Sequence, residues 1–286
     1  MMRESIILIG IIVVTSNFLY PQHRDSTFSS ERPSKTLNPH IVPKGVFQIE
    51  TGIAFQRFYI SNSSKVDRLN YNATNIRFGV NDNIEVRVGF SFSKVKNEDA
   101  PYYEQKLNFD HYYYDSYSGV FQPHHIKTRE GFDPLEMGIK IKLLKEKSWR
   151  PAIALIGTLH LPTIMRSWER KKYEAGGEIR AAFAHSITKN VTFGYNLGGS
   201  WDIDKQKINY LYSFSLNTAL MESMDAFIEL DGRAASRGFG EPWLALGGGL
   251  KYSLRPNLQL DLSGGHGLSK NAPDTFFGFG LTFQLP

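Results

Sequence analysis

Charged residues of both signs recur through this sequence at alternate positions between apolar ones: Glu50, Arg77, Glu85, Arg87, Glu136, Lys140, Lys142, Glu178, Arg180, Glu229, Asp231, Lys251 and Asp261. Around two of them the order is Ile84-Glu85-Val86-Arg87-Val88. Successive side chains of an extended chain point to opposite faces, so such a segment has one apolar and one charged face. Gathered around a lumen, these charges would make a polar wall whose pattern selects solutes. The alternative is structural: opposite charges on neighbouring strands pair across the interior and fill it.

Two further groups carry reactive side chains. Asp110, His111, His124 and His125 could ligate a metal, but their spacing fits no recurring ligand pattern, so no metal site is expected. His266 and Ser269 are a base and a nucleophile three residues apart, the chemistry of a lipid hydrolase. No Gly-x-Ser-x-Gly elbow occurs. The expectation is a protein that is not an enzyme and needs no cofactor.

The elements that must position the charges are strands. The clearest is the final stretch, where Thr275, Phe277, Phe279, Leu281, Phe283 and Leu285 alternate with Gly278, Gly280, Thr282 and Gln284. A Phe-rich strand of this kind needs a partner, and closure onto the first strand, Phe47 to Phe55, supplies one. Between them the same alternation predicts ten more strands, around Phe78, Val86, Ile139, Leu155, Ile179, Phe193, Phe214, Ile228, Leu246 and Leu260. The strand at Ile228 is the weakest, because Phe227 falls on its polar side. Turn signatures at Asn81-Asp82-Asn83, Lys145 to Ser148, Thr188-Lys189-Asn190, Glu222 to Asp225 and Arg255-Pro256-Asn257 are short. The intervening connections are longer: around Ser61 to Lys65, Lys94 to Asp133, Arg166 to Glu174, Trp201 to Lys207, Gly232 to Pro242 and His266 to Asp274. An even strand count with this asymmetry predicts an all-β fold, a transmembrane antiparallel up-and-down β-barrel of about 12 strands with short periplasmic turns and longer extracellular loops. A soluble sandwich also alternates. Polar faces rich in Gly, Ala and Ser, and apolar faces about ten residues long, favour the barrel.

Composition agrees. Across 286 residues the hydrophobic share is 41% and the mean hydropathy −0.31, and no apolar run is long enough for a spanning helix. The 20 Phe, 14 Tyr and 25 Gly suit a barrel with aromatic girdles. The lack of Cys excludes disulfides and thiolate metal sites. The net charge of +5 comes from dispersed Lys and Arg with no basic run, so no nucleic-acid partner is expected. Arg3, the apolar run Ile6 to Val14 and polar Thr15-Ser16-Asn17 read as a secretory signal peptide over 1–21, with a buried strand as the alternative. Residues 22–44, punctuated by Pro33, Pro39 and Pro43, read as an extended periplasmic lead-in or a small plug, and 45–286 as the barrel. The expected location is the bacterial outer membrane. The expected partners are outer-membrane lipid, the barrel-assembly machinery during insertion and a small solute, with a monomer favoured.

Three stretches resemble a known family: Pro43-Lys44-Gly45-Val46-Phe47-Gln48-Ile49-Glu50-Thr51-Gly52, the hairpin Asn75 to Arg87, and Pro151 to Thr163 with its Leu-x-Leu-Pro-Thr ending. They are similar to outer-membrane β-barrel transporters of the phenol-degradation meta-pathway type, over roughly Ile41 to Pro286. The resemblance implies a channel for small solutes, hydrophobic or aromatic ones included, and carries over no binding residue. A structural or adhesin-like barrel is the alternative. Phe279, Leu281 and Phe283 also resemble the C-terminal signal read during barrel insertion, although here the chain continues to Leu285-Pro286.

Overall fold

The computed structural model describes residues 28–61, 64–98, 128–161, 175–202, 208–235 and 242–286. The expected leader, the Asp110/His111/His124/His125 group and the charged loop at 166–174 lie outside the described residues. The strands are β1 (Phe47–Ser61), β2 (Ser64–Asn81), β3 (Ile84–Glu98), β4 (Thr128–Phe132), β5 (Leu135–Leu144), β6 (Ala152–Leu161) and β7 (Gly176–Ser186). They continue as β8 (Val191–Asp202), β9 (Ile208–Met221), β10 (Met224–Ala235), β11 (Trp243–Arg255), β12 (Leu258–Gly267) and β13 (Thr275–Leu285). Neighbours pair antiparallel in sequence order, and β13 returns to β1 in unbroken register from Phe47↔Leu285 to Arg57↔Thr275. The sheet therefore closes into a barrel.

The thirteen strands make a wall of twelve, because β4 and β5 pair one after the other with the same strand β3. Asp133-Pro134 separates them, and proline has no N–H with which to continue a ladder. The Asp133 carboxylate is held there by Ser91, Ser93 and Arg68.

One expectation fails at the first outer connection. The reading placed a loop at Ser61 to Lys65 and began the second strand near Ile76, whereas β2 starts at Ser64 and only residues 62–63 separate it from β1. The cause is a β-bulge: both ladders of β2 slip by one residue between Tyr71 and Thr74, where Asn72 takes a left-handed φ of 48°. An extra residue reverses the facing of everything before it. Val66 and Arg68 consequently point inward, in the opposite phase to Ile76 and Phe78, and the period-two pattern is lost across the join.

The outer surface is apolar, with Ile53, Leu159, Leu262, Phe277 and Phe279 about half exposed. Stacked pairs such as Phe55–Phe277 and Phe183–Tyr195 cover it. The interior is polar: Arg77, Lys140, Gln48, Glu50 and Glu85 are among the largest fully buried side chains. Phe227 is an exception on the inner face. It lies flat over Gly249, where an added Cβ would sit 2.7 Å from the ring, and Lys251 Nζ stands 5.8 Å above it.

Candidate functional site: a segment held in the lumen

Residues 28–44 run through the inside of the barrel before the chain turns into β1. The stretch turns at Arg32-Pro33 and folds back, so that the Asn38 amide donates to the Ser30 carbonyl at 3.4 Å, and the prolines at 33, 39 and 43 leave it without a ladder of its own. It leaves at the short-turn end, where Gly45 adopts φ 79° and donates to the Gly79 carbonyl at 2.8 Å. A Cβ on Gly79 would lie 2.1 Å from the Pro43 carbonyl, so only glycine lets the chain pass.

One wall, from β1, β2, β3 and β5, holds a compact charge cluster. The Arg77 guanidinium donates to both Glu85 oxygens at 2.7 and 2.8 Å and to Glu50 Oε1 at 2.8 Å. Such a planar fork suits carboxylates on two sides. From the segment, Glu31 accepts from Lys140 and Arg87, and Arg77 Nη2 stands 3.8 Å away. Three cations thus face three carboxylates, and the third carboxylate belongs to the inserted segment. Burial alone would raise the Glu31 carboxyl, but Arg77, Arg87 and Lys140 outweigh it and hold it well below the usual carboxylate range.

The remaining walls hold the rest of the segment. Arg32 reaches Asp261 of β12 with two donors at 3.3 Å and lies across the β1–β13 seam, where Gly52 faces Gly280. A Cβ on either glycine would meet the guanidinium at 2.3 Å. On β10, Glu229 accepts from Ser34 Oγ at 2.7 Å, from the Lys35 N–H at 2.9 Å and from the Thr36 N–H at 3.1 Å. On β8, the Asn196 amide accepts from Leu37 N at 2.7 Å and donates to Leu37 O at 2.8 Å. Burial pushes the Lys35 amine down, against the pull of Asp231 and Glu229. His40 is also lowered, by its enclosure within the barrel and by Lys140, although its surface still meets water at the lumen end.

The other residues read from the sequence fall around this segment. Arg180 pairs with Glu178 on β7, and His160 Nδ1 lies 3.5 Å from Glu136. Lys251 donates to the Ser30 carbonyl at 3.3 Å, and Lys142 sits half-exposed near the short-turn end of β5. Asp231 is buried beside Glu229 on β10; with Lys35, Gln56, Trp243 and Phe276 these two line a small recess of about 10 Å³, room for no more than a water. Phe279, Leu281 and Phe283 share the outward face of β13. His266 and Ser269 are not brought together. His266 is exposed, whereas the Ser269 hydroxyl accepts from Leu244 N at 2.9 Å. Among the described residues no group of three or more His, Asp or Glu could hold a metal ion.

Sequence reading missed Gln48, Asn196 and Thr282, each buried and facing inward. Their signal was present, since polar amides and hydroxyls stand among apolar neighbours at the same alternate positions as the charges. Arg32 and Glu31 carried no signal, because the segment around them has no periodicity.

Comparison with known proteins places this geometry. The fold matches the crystal structure of an outer membrane channel from Pseudomonas putida F1, with a TM-score of 0.61 at 10% identity over 88% of this chain and 99% of that one. It also matches the translocator domain of the autotransporter NalP from Neisseria meningitidis, with a TM-score of 0.51 at 9% identity over 84% and 88%. No match emerged among curated proteins. The family described as "Putative MetA-pathway of phenol degradation" matches residues 30–285, and the chain belongs to it.

Proposed function

We propose that this protein is an outer-membrane channel for small solutes, closed at rest by residues 28–44. The observation that carries this reading is the way the segment is held. Its hydrogen bonds and ion pairs run to side chains of the charged lumen, so it can leave without breaking the ladders of the wall. With the segment and its Lys35 withdrawn, Trp243 and Phe276 would present an apolar face beside Glu229 and Asp231, which suits hydrophobic or aromatic solutes bearing a polar group. The family's description, which names phenol degradation, supports the same class.

The apolar outer band would face outer-membrane lipid, with the short turns in the periplasm and a leader over 1–21 directing export. Insertion by the barrel-assembly machinery through the β13 pattern, and a monomeric state, follow from the same reading. Liposome swelling and single-channel recording test it. The wild-type protein should conduct weakly, and a variant with a loosened segment should conduct several-fold more. A bilayer that stays sealed with both proteins at all potentials would sink the channel reading.

A further inference from the structure

In a closed barrel every strand spends its own N–H and C=O groups mostly on its neighbours, so the wall grips an inserted chain chiefly with side chains. Here those side chains grip mainly the main chain. Six N–H groups of the segment, those of Glu31, Arg32, Lys35, Thr36, Leu37 and Val42, donate to carboxylate or amide oxygens of Glu50, Glu229, Asn196 and Glu85. Its carbonyls at Ser29, Ser30, Leu37, Asn38 and His40 accept from wall side chains, chiefly Arg77 and Lys140. Among the segment's side chains, Glu31, Arg32 and the hydroxyls of Ser30, Ser34 and Thr36 bond the wall as well, and the Lys35 amine is drawn by Asp231 and Glu229. Leu37 shows the difference most plainly, because Asn196 reads both its N–H and its C=O as a neighbouring strand would.

We propose that the lumen wall is a receptor for the main chain of a looped peptide, and that its partner class is oligopeptides that fold back on themselves as this segment does and carry a Glu-Arg pair. Residues 28–44 are then one occupant of a site that the same peptide can fill in trans. The inference rests on no assumption about which solute crosses the channel.

The test uses full-length protein in which the tethered segment is weakened at its side-chain anchors, Glu31→Gln with Arg32→Gln, leaving the wall unchanged. Heat-modifiable gel migration establishes folding, and full-length Arg32→Ala, which likewise changes only the segment, is the second host. Three fluorescent peptides of residues 28–44 are titrated by anisotropy: the native sequence, one with Leu37→Ala and His40→Ala, and one N-methylated at Lys35, Leu37 and Val42. The native and alanine peptides should bind within about threefold of each other. The N-methyl peptide, which keeps every side chain but lacks three gripped N–H groups, should bind at least about tenfold more weakly. Wild-type protein should bind all three more weakly than the variant, because its tethered segment competes at an effective concentration near millimolar. Equal binding of the N-methyl and native peptides would overturn main-chain recognition. Failure of the native peptide to bind either host would overturn the receptor altogether.

Discussion

At the residue scale, Arg77 decides whether the cluster on β1–β3 is an asset or a liability. It is fully buried and serves Glu50 and Glu85 at once, so removing it strands two carboxylates out of reach of water. Arg77→Met should destabilise the barrel by about 3–5 kcal/mol in denaturant unfolding. Arg77→Lys should recover only part of that, since an ammonium lacks the fork. Glu229→Gln turns an amide N–H₂ toward the donors of Ser34, Lys35 and Thr36, costing about 1–3 kcal/mol of segment docking. Because the chain has no Cys, Thr36→Cys can be placed in both backgrounds, and faster maleimide labelling in the Glu229→Gln protein would show the loss. His40 gives the pH dependence. Its folded pKa lies below its ordinary value of 6.5, so docking favours the neutral ring. That contribution is complete above pH 6.5 and is lost as pH falls toward the lowered value. Conductance should therefore rise as pH drops from about 7.5 to 5, and His40→Gln should flatten the profile. Glu31 runs with the same sign but lower, its contribution surviving until the pH falls below the usual carboxylate range.

At the element scale, the glycines facing each other on β1 and β13 form the floor on which Arg32 rests. Every near neighbour of a Cβ on Gly280 is an Arg32 guanidinium atom, the movable end of a flexible side chain. Gly280→Ala should leave the barrel folded but displace Arg32 from Asp261, raising conductance. Adding Arg32→Ala to it should raise conductance no further, and a clear additive increase would disprove the shared mechanism. The strands themselves were legible in the sequence because their alternation reports a physical fact, one apolar outer face and one face lining a polar lumen. Closure of Thr275–Leu285 onto β1 was legible for the same reason. The first half of β2 was not, since the bulge at Asn72 reverses the alternation. The charges of the wall could be read, and the stretch at 22–44 reads as a lead-in or a small plug, but which of its residues meet the wall could not be read. Glu31 and Arg32 are defined by partners up to 247 residues away, and no local pattern encodes that distance.

At the scale of the whole molecule, stability comes from a closed hydrogen-bonded wall with an apolar exterior and a polar filling. The purified protein should migrate differently in gels before and after boiling, as a barrel that resists detergent does. Phe279→Arg, at an outward position on β13, should cost about 2–4 kcal/mol if it lies at the bilayer midplane and should lower the assembled fraction. The placement of Arg32 also fixes a chronology. Its pocket is built jointly by β1, β12 and β13, and Ser30 beside it bonds Thr282 of β13. That pocket does not exist until the final strand has met the first. The stretch that precedes β1, among the earliest of the described residues to be synthesised, is therefore the last to find its place, and its arrival records that the ring has shut.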